Sequence, residues 1–390
     1  MIDKNILLFD STYFDVEEIY SIDGVEYLHD LLIIRSPILG FFSRFISKKM
    51  LYRIAARLDF LASYAIVTVR MITSLCQSIR TKTISTYPSS LGLLSCDLII
   101  SRSKSAEIFN SIDAWLILPY TRFKTDEIEN KFLSVYSFLS CMDIIYSYIL
   151  SLKAIGYSNR TNINRYIRRL YVSFEFFMVK RVLERLDIDT KLVFANHKDR
   201  WAILFDESHQ TSKTLLQHGV ESTNYKYPIK LKNITELYAF NAKSCELLKN
   251  TILDCSPAVK FLRPTIKLTS CSSSAKLLVL IVSPISPLKE REEYIVKKLQ
   301  CNDIDIYIKP HYQNKDYSFY EYLAQDNRFN LIKEQIFPKV DLVVSYDSTL
   351  VLEYQMCGID VLLYDNKTLE EIVDSIFNLR NEINKKECLN

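Results

Sequence analysis

The sequence predicts an α/β protein made of two Rossmann-type domains, each carrying a largely parallel sheet. Three observations predict it. The chain has 390 residues, and single hydrophobic cores stop growing at about 250–300 residues. Short continuous apolar runs such as "LLVLIV" and "DLVVS" read as strands covered on both faces. These runs alternate with helical stretches, the pattern of βαβ units. The expected boundaries are a first α/β domain at 1–262, a linker at 263–274 and a second domain at 275–378. A tail at 379–390 is a candidate to cross back to the first domain. Two such domains facing each other across a cleft are the simplest assembly.

Taken in order, "NILLF" (5–9) reads as a buried strand that delivers Asp10, Ser11 and Thr12 into a polar turn. "YLHDLLIIRSP" suggests a second strand ending near Pro37. From Ile38 to Ser78 the pattern is helical, with Arg44, Lys48, Lys49, Arg53, Arg57 and Arg70 among aromatics and leucines. "LGLLSCDLIISRS" (91–103) and "AWLILPY" (114–120) look like strands, and a long helical region follows from about Asp126 to Asp187. "KLVFAN", "DRWAILFDESHQ", "KTLLQHG" and "ELYAFN" then read as strand, helix, strand, strand. The segment 255–276 carries two prolines and five serines with little periodicity and reads as a linker. After it the alternation is compact: "KLLVLIVS" strand, "EREEYIVKKLQ" helix, "IDIYIKP" strand, "FYEYLAQ" helix, "FNLIK" and "DLVVSY" strands, "STLVLEYQMCG" helix, "DVLLYD" strand.

Composition excludes several classes. Six glycines and no GxGxxG or GxxxxGK[ST] motif argue against a backbone phosphate cradle. A phosphate must then be held by side chains and helix N-termini. A net charge of +3 gives no reason to expect nucleic acid. Nine scattered cysteines without a CxxC pair fit reduced thiols in a cytoplasmic protein, with neither a disulfide framework nor a zinc site. The start has no signal-peptide pattern. The apolar run "FLASYAIVTV" is ten residues long, about half of a bilayer span. An integral membrane protein is therefore not expected. The basic, aromatic stretches 41–80 and 160–185 suit either an anionic lipid surface or a solvated helix face.

Ligands of open parallel sheets bind beyond the carboxyl ends of the strands. The polar residues expected there are Ser283, then Lys309, Pro310 and His311, then Ser345, Asp347, Ser348 and Thr349. Lys309 and His311 suit a phosphate that leaves as negative charge develops. Ser348 and Thr349 open a helix whose dipole attracts the same group, or cap it in the ordinary way. Glu353, inside that helix, reaches a ribose hydroxyl or faces solvent. In the first domain, His218 precedes Gly219, which permits a close backbone approach. His218, Asp10 and Glu221 are unranked candidates for a general base, with Asp206 a further carboxylate. The Asp-x-Asp pairs at 187–189 and 303–305 precede strands, at the wrong end of the sheet for a metal site.

"YIKPHYQ", followed about 35 residues later by "VVSYDSTLVLEYQMCGIDVLLY", resembles the donor-binding half of GT-B glycosyltransferases. The likeness is to bacterial sialyltransferase and polysialyltransferase-like proteins, capsular Kdo transferases and CDP-glycerol glycerophosphotransferases. "LLQHGV" is similar to their acceptor-side His-Gly element, carried here by His218 and Gly219. His311 matches the motif histidine, although Tyr312 stands where a proline is expected and Pro310 precedes it. Ser348 and Thr349 match the Ser/Thr pair. The resemblance implies a metal-independent, inverting transferase without a cofactor, using a CMP-linked acidic sugar such as sialic acid or Kdo. Its products would be cell-surface polysaccharide or lipooligosaccharide, assembled on a glycan or glycolipid acceptor at the cytoplasmic membrane. Transfer of glycerophosphate from CDP-glycerol, or a non-catalytic nucleotide-sugar-binding role in assembly, are the alternatives.

Overall fold

The structure, a computed structural model, describes residues 3–11, 48–94, 98–119, 131–162, 170–195, 200–219, 229–271, 273, 275–284, 288–301, 303–311, 314, 316–346, 348–364 and 367–389. The chain divides into two compact units, Met1–Leu262 and Arg263–Asn390. Both are α/β with parallel sheets, the class expected from the sequence.

In the first unit, Lys4–Ser11 is a helix, α1, and not the strand expected from "NILLF". Ile6 and Phe9 are buried while Leu7 is 44% exposed. A three-residue spacing of buried positions belongs to a helix, and five apolar residues alone cannot distinguish the two periods. The Phe9 ring packs edge-on against Phe176 at 5.2 Å. Helix α2 spans Lys48–Arg80. The expected strand near Pro37 and the start of the expected helix, 38–47, lie outside the described residues.

Strand β1, Ser90–Leu94, occupies only the start of the run 91–103; Leu98–Ser105 is helix α3. Strands β2 (Ala114–Ile117) and β3 (Phe132–Ser134) precede helices α4 (Cys141–Asn162) and α5 (Ser173–Arg185). The region expected to be one long helix thus opens with a strand. Strand β4 (Lys191–Phe194), helix α6 (Arg200–Asp206), β5 (Lys213–Leu216), β6 (Glu236–Ala239), helix α7 (Ala242–Thr251) and β7 (Ala258–Phe261) complete the unit. The sheet order is β3-β2-β1-β4-β5-β6-β7, parallel throughout. The chain therefore winds one way from β1 and then returns to its other side, the doubly wound pattern. Gly92 in β1 is required by packing, since a Cβ there would stand 2.5 Å from the Trp115 ring.

In the second unit, β8 (Leu268–Thr269) pairs with β12 (Phe337–Pro338) as a small separate ladder. The segment read as a linker therefore contains β7 and β8. The main sheet holds β9 (Leu277–Val282), β10 (Ile304–Lys309), β11 (Asn330–Leu331), β13 (Leu342–Ser345) and β14 (Asp360–Leu363). Its helices are α8 (Lys289–Lys298), α9 (Ser318–Asp326), α10 (Thr349–Met356) and α11 (Leu369–Leu389). The order β11-β10-β9-β13-β14, all parallel, is again doubly wound. Alternation along β9 divides its side chains between two cores. Leu277, Val279 and Ile281 join Ile295, Tyr320 and Ile372, whereas Leu280 and Val282 join Val351 and Tyr354. Burial on both faces is why these strands read as unbroken apolar runs. The expected tail continues α11 without a break, and Arg380 there donates to Asp303 at 2.7 Å.

Candidate functional site

The carboxyl edge of the second sheet is where the sequence-predicted donor residues converge. Val282 shares its register with Lys309 on one side and Ser345 on the other, so the three strands end on one rung. Strands β10 and β13 leave β9 on opposite sides. That is the switch point at which a crevice opens in doubly wound sheets. The loops that follow β9, β10 and β13 begin with Ser283, Pro310-His311 and Tyr346.

Three of the expected donor residues are spent inside the fold. The Lys309 ammonium donates to the Glu334 carbonyl at 2.7 Å and lies 4.9 Å from the centre of the Phe337 ring. It is buried, and desolvation holds its pKa below the ordinary lysine value. A phosphate grip by Lys309 is thus replaced by a structural tie, because the last residue of a pleated strand turns its side chain towards one core. Ser345 is also buried, its hydroxyl donating to the Val282 carbonyl at 3.1 Å. Glu353 neither faces solvent nor stands free for a ribose. It is 3% exposed, and its two oxygens accept from the Thr265 amide (2.6 Å) and hydroxyl (2.9 Å).

Ser283 is fully buried as well, so what remains at the edge is His311, Ser348 and Thr349. His311 is half-buried, and desolvation lowers its pKa, favouring the neutral imidazole. Its carbonyl accepts from the Asn314 amide at 2.8 Å, which closes the turn after Pro310. Ser348 is the N-cap of α10 and accepts from the Val351 amide at 3.4 Å. Thr349 opens the helix, half-buried. Tyr346, half-buried between Ser345 and this cap, was not singled out by sequence reasoning; burial raises its phenol pKa. Asp347 and Tyr312 lie outside the described residues.

In the first unit, His218 and Gly219 follow β5 at the carboxyl edge, both half-buried. Gln217, a residue sequence reasoning missed, pins their turn. Its amide nitrogen donates to the Gly219 carbonyl at 2.9 Å, and its oxygen accepts from the Phe240 amide at 3.0 Å. Asp10 lies on α1 rather than at a strand end, and Glu221 lies outside the described residues. Asp206 is buried, accepting from the Lys232 (2.9 Å) and Asn233 (2.7 Å) amides. Two cavities of about 370 and 440 Å³ meet at Ser208 and His209, beside the amino ends of β5 and β6. They stand at the opposite edge of the sheet from His218.

The Asp-x-Asp pair at 303–305 is engaged by neighbours. Arg380 binds Asp303, and Ser273 and Arg328 approach Asp305. Among the described residues no group of three His, Cys, Asp or Glu side chains is placed to hold a metal ion. Nor is any described helix long and apolar enough to cross a membrane.

Three of the solved structures that are similar to this chain are the following. One is a crystal structure of TarM, with a TM-score of 0.36 and 15% identity, covering 54% of this chain and 52% of that one. Another is a mutant of the O-GlcNAc transferase of Thermobaculum terrenum, at 0.35 and 11%, covering 94% and 70%. The third is HepE of Anabaena in complex with UDP and glucose, at 0.35 and 12%, covering 70% and 80%. The chain spans about half the length of TarM. No protein-family profile and no curated protein matches the chain.

Proposed function

We propose that the chain is a glycosyltransferase that binds a nucleotide-activated sugar at the carboxyl edge of its second sheet. The observation that carries this reading is the pairing of His311 with the N-terminus of α10 across the switch point. Strands β10 and β13 flank β9, and neighbouring strands are about 4.7–4.9 Å apart. The two elements thus stand about 10 Å apart at their bases, which leaves room for a phosphate with a charge-assisted hydrogen bond on each side. The imidazole N–H of His311 and the free amides of α10 would both stabilise the leaving phosphate as its bond to the sugar breaks. An acceptor oxygen attacks the anomeric carbon from the opposite face, the nucleotide leaves with the bonding pair, and a base removes the hydroxyl proton. Of the candidate bases His218, Asp10 and Glu221, His218 is the one described at the carboxyl edge of a strand. The donor we propose is a cytidine nucleotide carrying an acidic sugar, the finer reading drawn from "YIKPHY" and "YDST". The acceptor is a glycan or glycolipid, and the apolar outer face of α2 is the surface that meets a membrane.

The test is a thermal-shift panel of CMP, CDP, UDP and GDP. Cytidine nucleotides should stabilise the protein most, and His311→Ala should weaken that binding by roughly tenfold, the loss of about one charge-assisted hydrogen bond. Preference for UDP or GDP would remove the cytidine assignment. Equal binding by wild type and His311→Ala would remove the site.

A further inference from the structure

Behind the donor edge lies a set of polar side chains that the proposed chemistry does not use. Glu292, in the first turn of α8, has no exposed surface. One carboxyl oxygen accepts from the Leu288 amide at 3.2 Å, and the other has no hydrogen-bond partner. The Ser283 hydroxyl, directly after β9, is fully buried and likewise unpartnered. So are the hydroxyls of Tyr320 on α9 and Tyr364 directly after β14, exposed by 0% and 2%. By distance the four buried atoms lack partners, which is unusual, since an unpaired buried group costs about 1–3 kcal/mol. Ser283 and Tyr320 nonetheless lie close enough to act on the Glu292 carboxyl as hydrogen-bonding neighbours. Their common neighbourhood is established by charge. Ser283 and Tyr320 both bear on the ionisation of Glu292, and Glu292 bears on both tyrosines.

The groups that face Glu292 contain no cation among the described residues. Strand β9 offers Ser283, α9 offers Tyr320 and the end of β14 offers Tyr364. Arg291, its neighbour on α8, lies over the Tyr364 ring at 5.9 Å. On α11, Glu370 pairs with Tyr294 instead. A buried carboxylate without a counter-ion is costly, whereas a carboxylic acid adds the donor that such a cluster lacks.

We propose that Glu292 is a positioning residue for the donor edge, acting as a neutral acid that joins Ser283 to Leu288 and so fixes both ends of the β9–α8 connection. Ionisation breaks that tie by placing an uncompensated charge behind the turn. This rests on the donor-edge reading given above. Desolvation raises the Glu292 pKa above the ordinary value of 4.5. The sign follows: the folded state keeps its proton longer than the unfolded chain. The stabilisation is complete below the ordinary value and is lost as pH rises through the raised one.

The test compares wild type with Glu292→Gln, which is neutral at every pH, and measures two quantities from about pH 5 to about pH 9. The first is the thermal midpoint without nucleotide, together with amide protection of 283–292 at matched pH. Wild type should lose midpoint and protection with rising pH relative to Glu292→Gln. The second is affinity for CMP and CDP, which should fall in wild type by roughly tenfold per pH unit beyond the transition while Glu292→Gln departs by less than about twofold. Parallel midpoint and protection profiles in the two proteins would overturn the proposal, whatever the nucleotides do. Divergent midpoints with no nucleotide binding would keep Glu292 as the holder of the turn and remove the donor reading instead. Should Glu292→Gln fail to fold, Ser283→Ala removes the partner hydroxyl and should shift the wild-type midpoint profile. An unshifted profile would also count against it.

Discussion

Lys309 ends its strand with a positive charge, directly before the turn that holds His311, and its chemistry alone would suit a phosphate. The structure gives that charge to the Glu334 carbonyl and the Phe337 ring. Ser345 and Glu353 meet the same fate, one satisfying Val282 and the other Thr265. Lys309 and Ser345 looked functional because polar residues at strand ends are the ones ligands use, and Glu353 because it lies inside the helix that follows. In the structure each is instead hydrogen-bonded to a backbone group from a distant segment. Lys309→Ala removes a part-buried hydrogen bond from a charged donor to the Glu334 carbonyl, about 1.5–3 kcal/mol, and a cation–π contact of about 0.5–2 kcal/mol. Urea unfolding should therefore show a loss of roughly 2–4 kcal/mol. Nucleotide affinity of the folded protein should change little. A variant with full stability and lost nucleotide binding would return Lys309 to the phosphate.

At the scale of the element, α2 is apolar on opposite sides. Val67 is fully buried, while Leu61, Val69, Ile72 and Ile79 are 63%, 60%, 54% and 77% exposed. Helices that are apolar all round belong in a core or against lipid. Among the described side chains, three of the basic residues expected to supply the attraction are engaged. Arg70 pairs with Glu175 and lies 4.7 Å from the Tyr171 ring. Lys180 pairs with Glu184, and Arg181 pairs with Asp143 and Glu184. The exposed apolar residues offer a membrane contact that rests on burial, which salt does not screen. Sedimentation with vesicles should persist at high salt and should fail for Val69→Asp with Ile72→Asp. A concentration-dependent dimer in solution, with no vesicle binding, would assign the face to a second copy of the chain.

At the scale of the whole molecule, Arg263–Asn390 holds two apolar clusters of its own, one on each face of its sheet. Thr265, near its start, is tied to Glu353 across 88 residues. The fragment 263–390 is therefore expected to fold alone and to bind the nucleotide with the affinity of the full chain. Cooperative thermal unfolding and calorimetry on the fragment check this, and a fragment that folds but binds no nucleotide would place the donor site elsewhere. The main-sheet strands and the helices between 277 and 363 were legible in the sequence, though the short β12 was not, because burial on both sheet faces leaves unbroken β-rich runs between helical ones. "NILLF" was not, because five apolar residues fit a strand and a helix turn equally until α1 meets Phe176. The sequence by itself determined the α/β class, the alternation of the second unit and the order in which polar residues leave its strands. Only the tertiary structure decided which of them, like Lys309, Ser345 and Glu353, turn inward. It also brought Ser283, Glu292, Tyr320 and Tyr364 together. The physical reason is that strand periodicity is local, whereas a polar side chain points to wherever a buried partner from a distant segment must be satisfied.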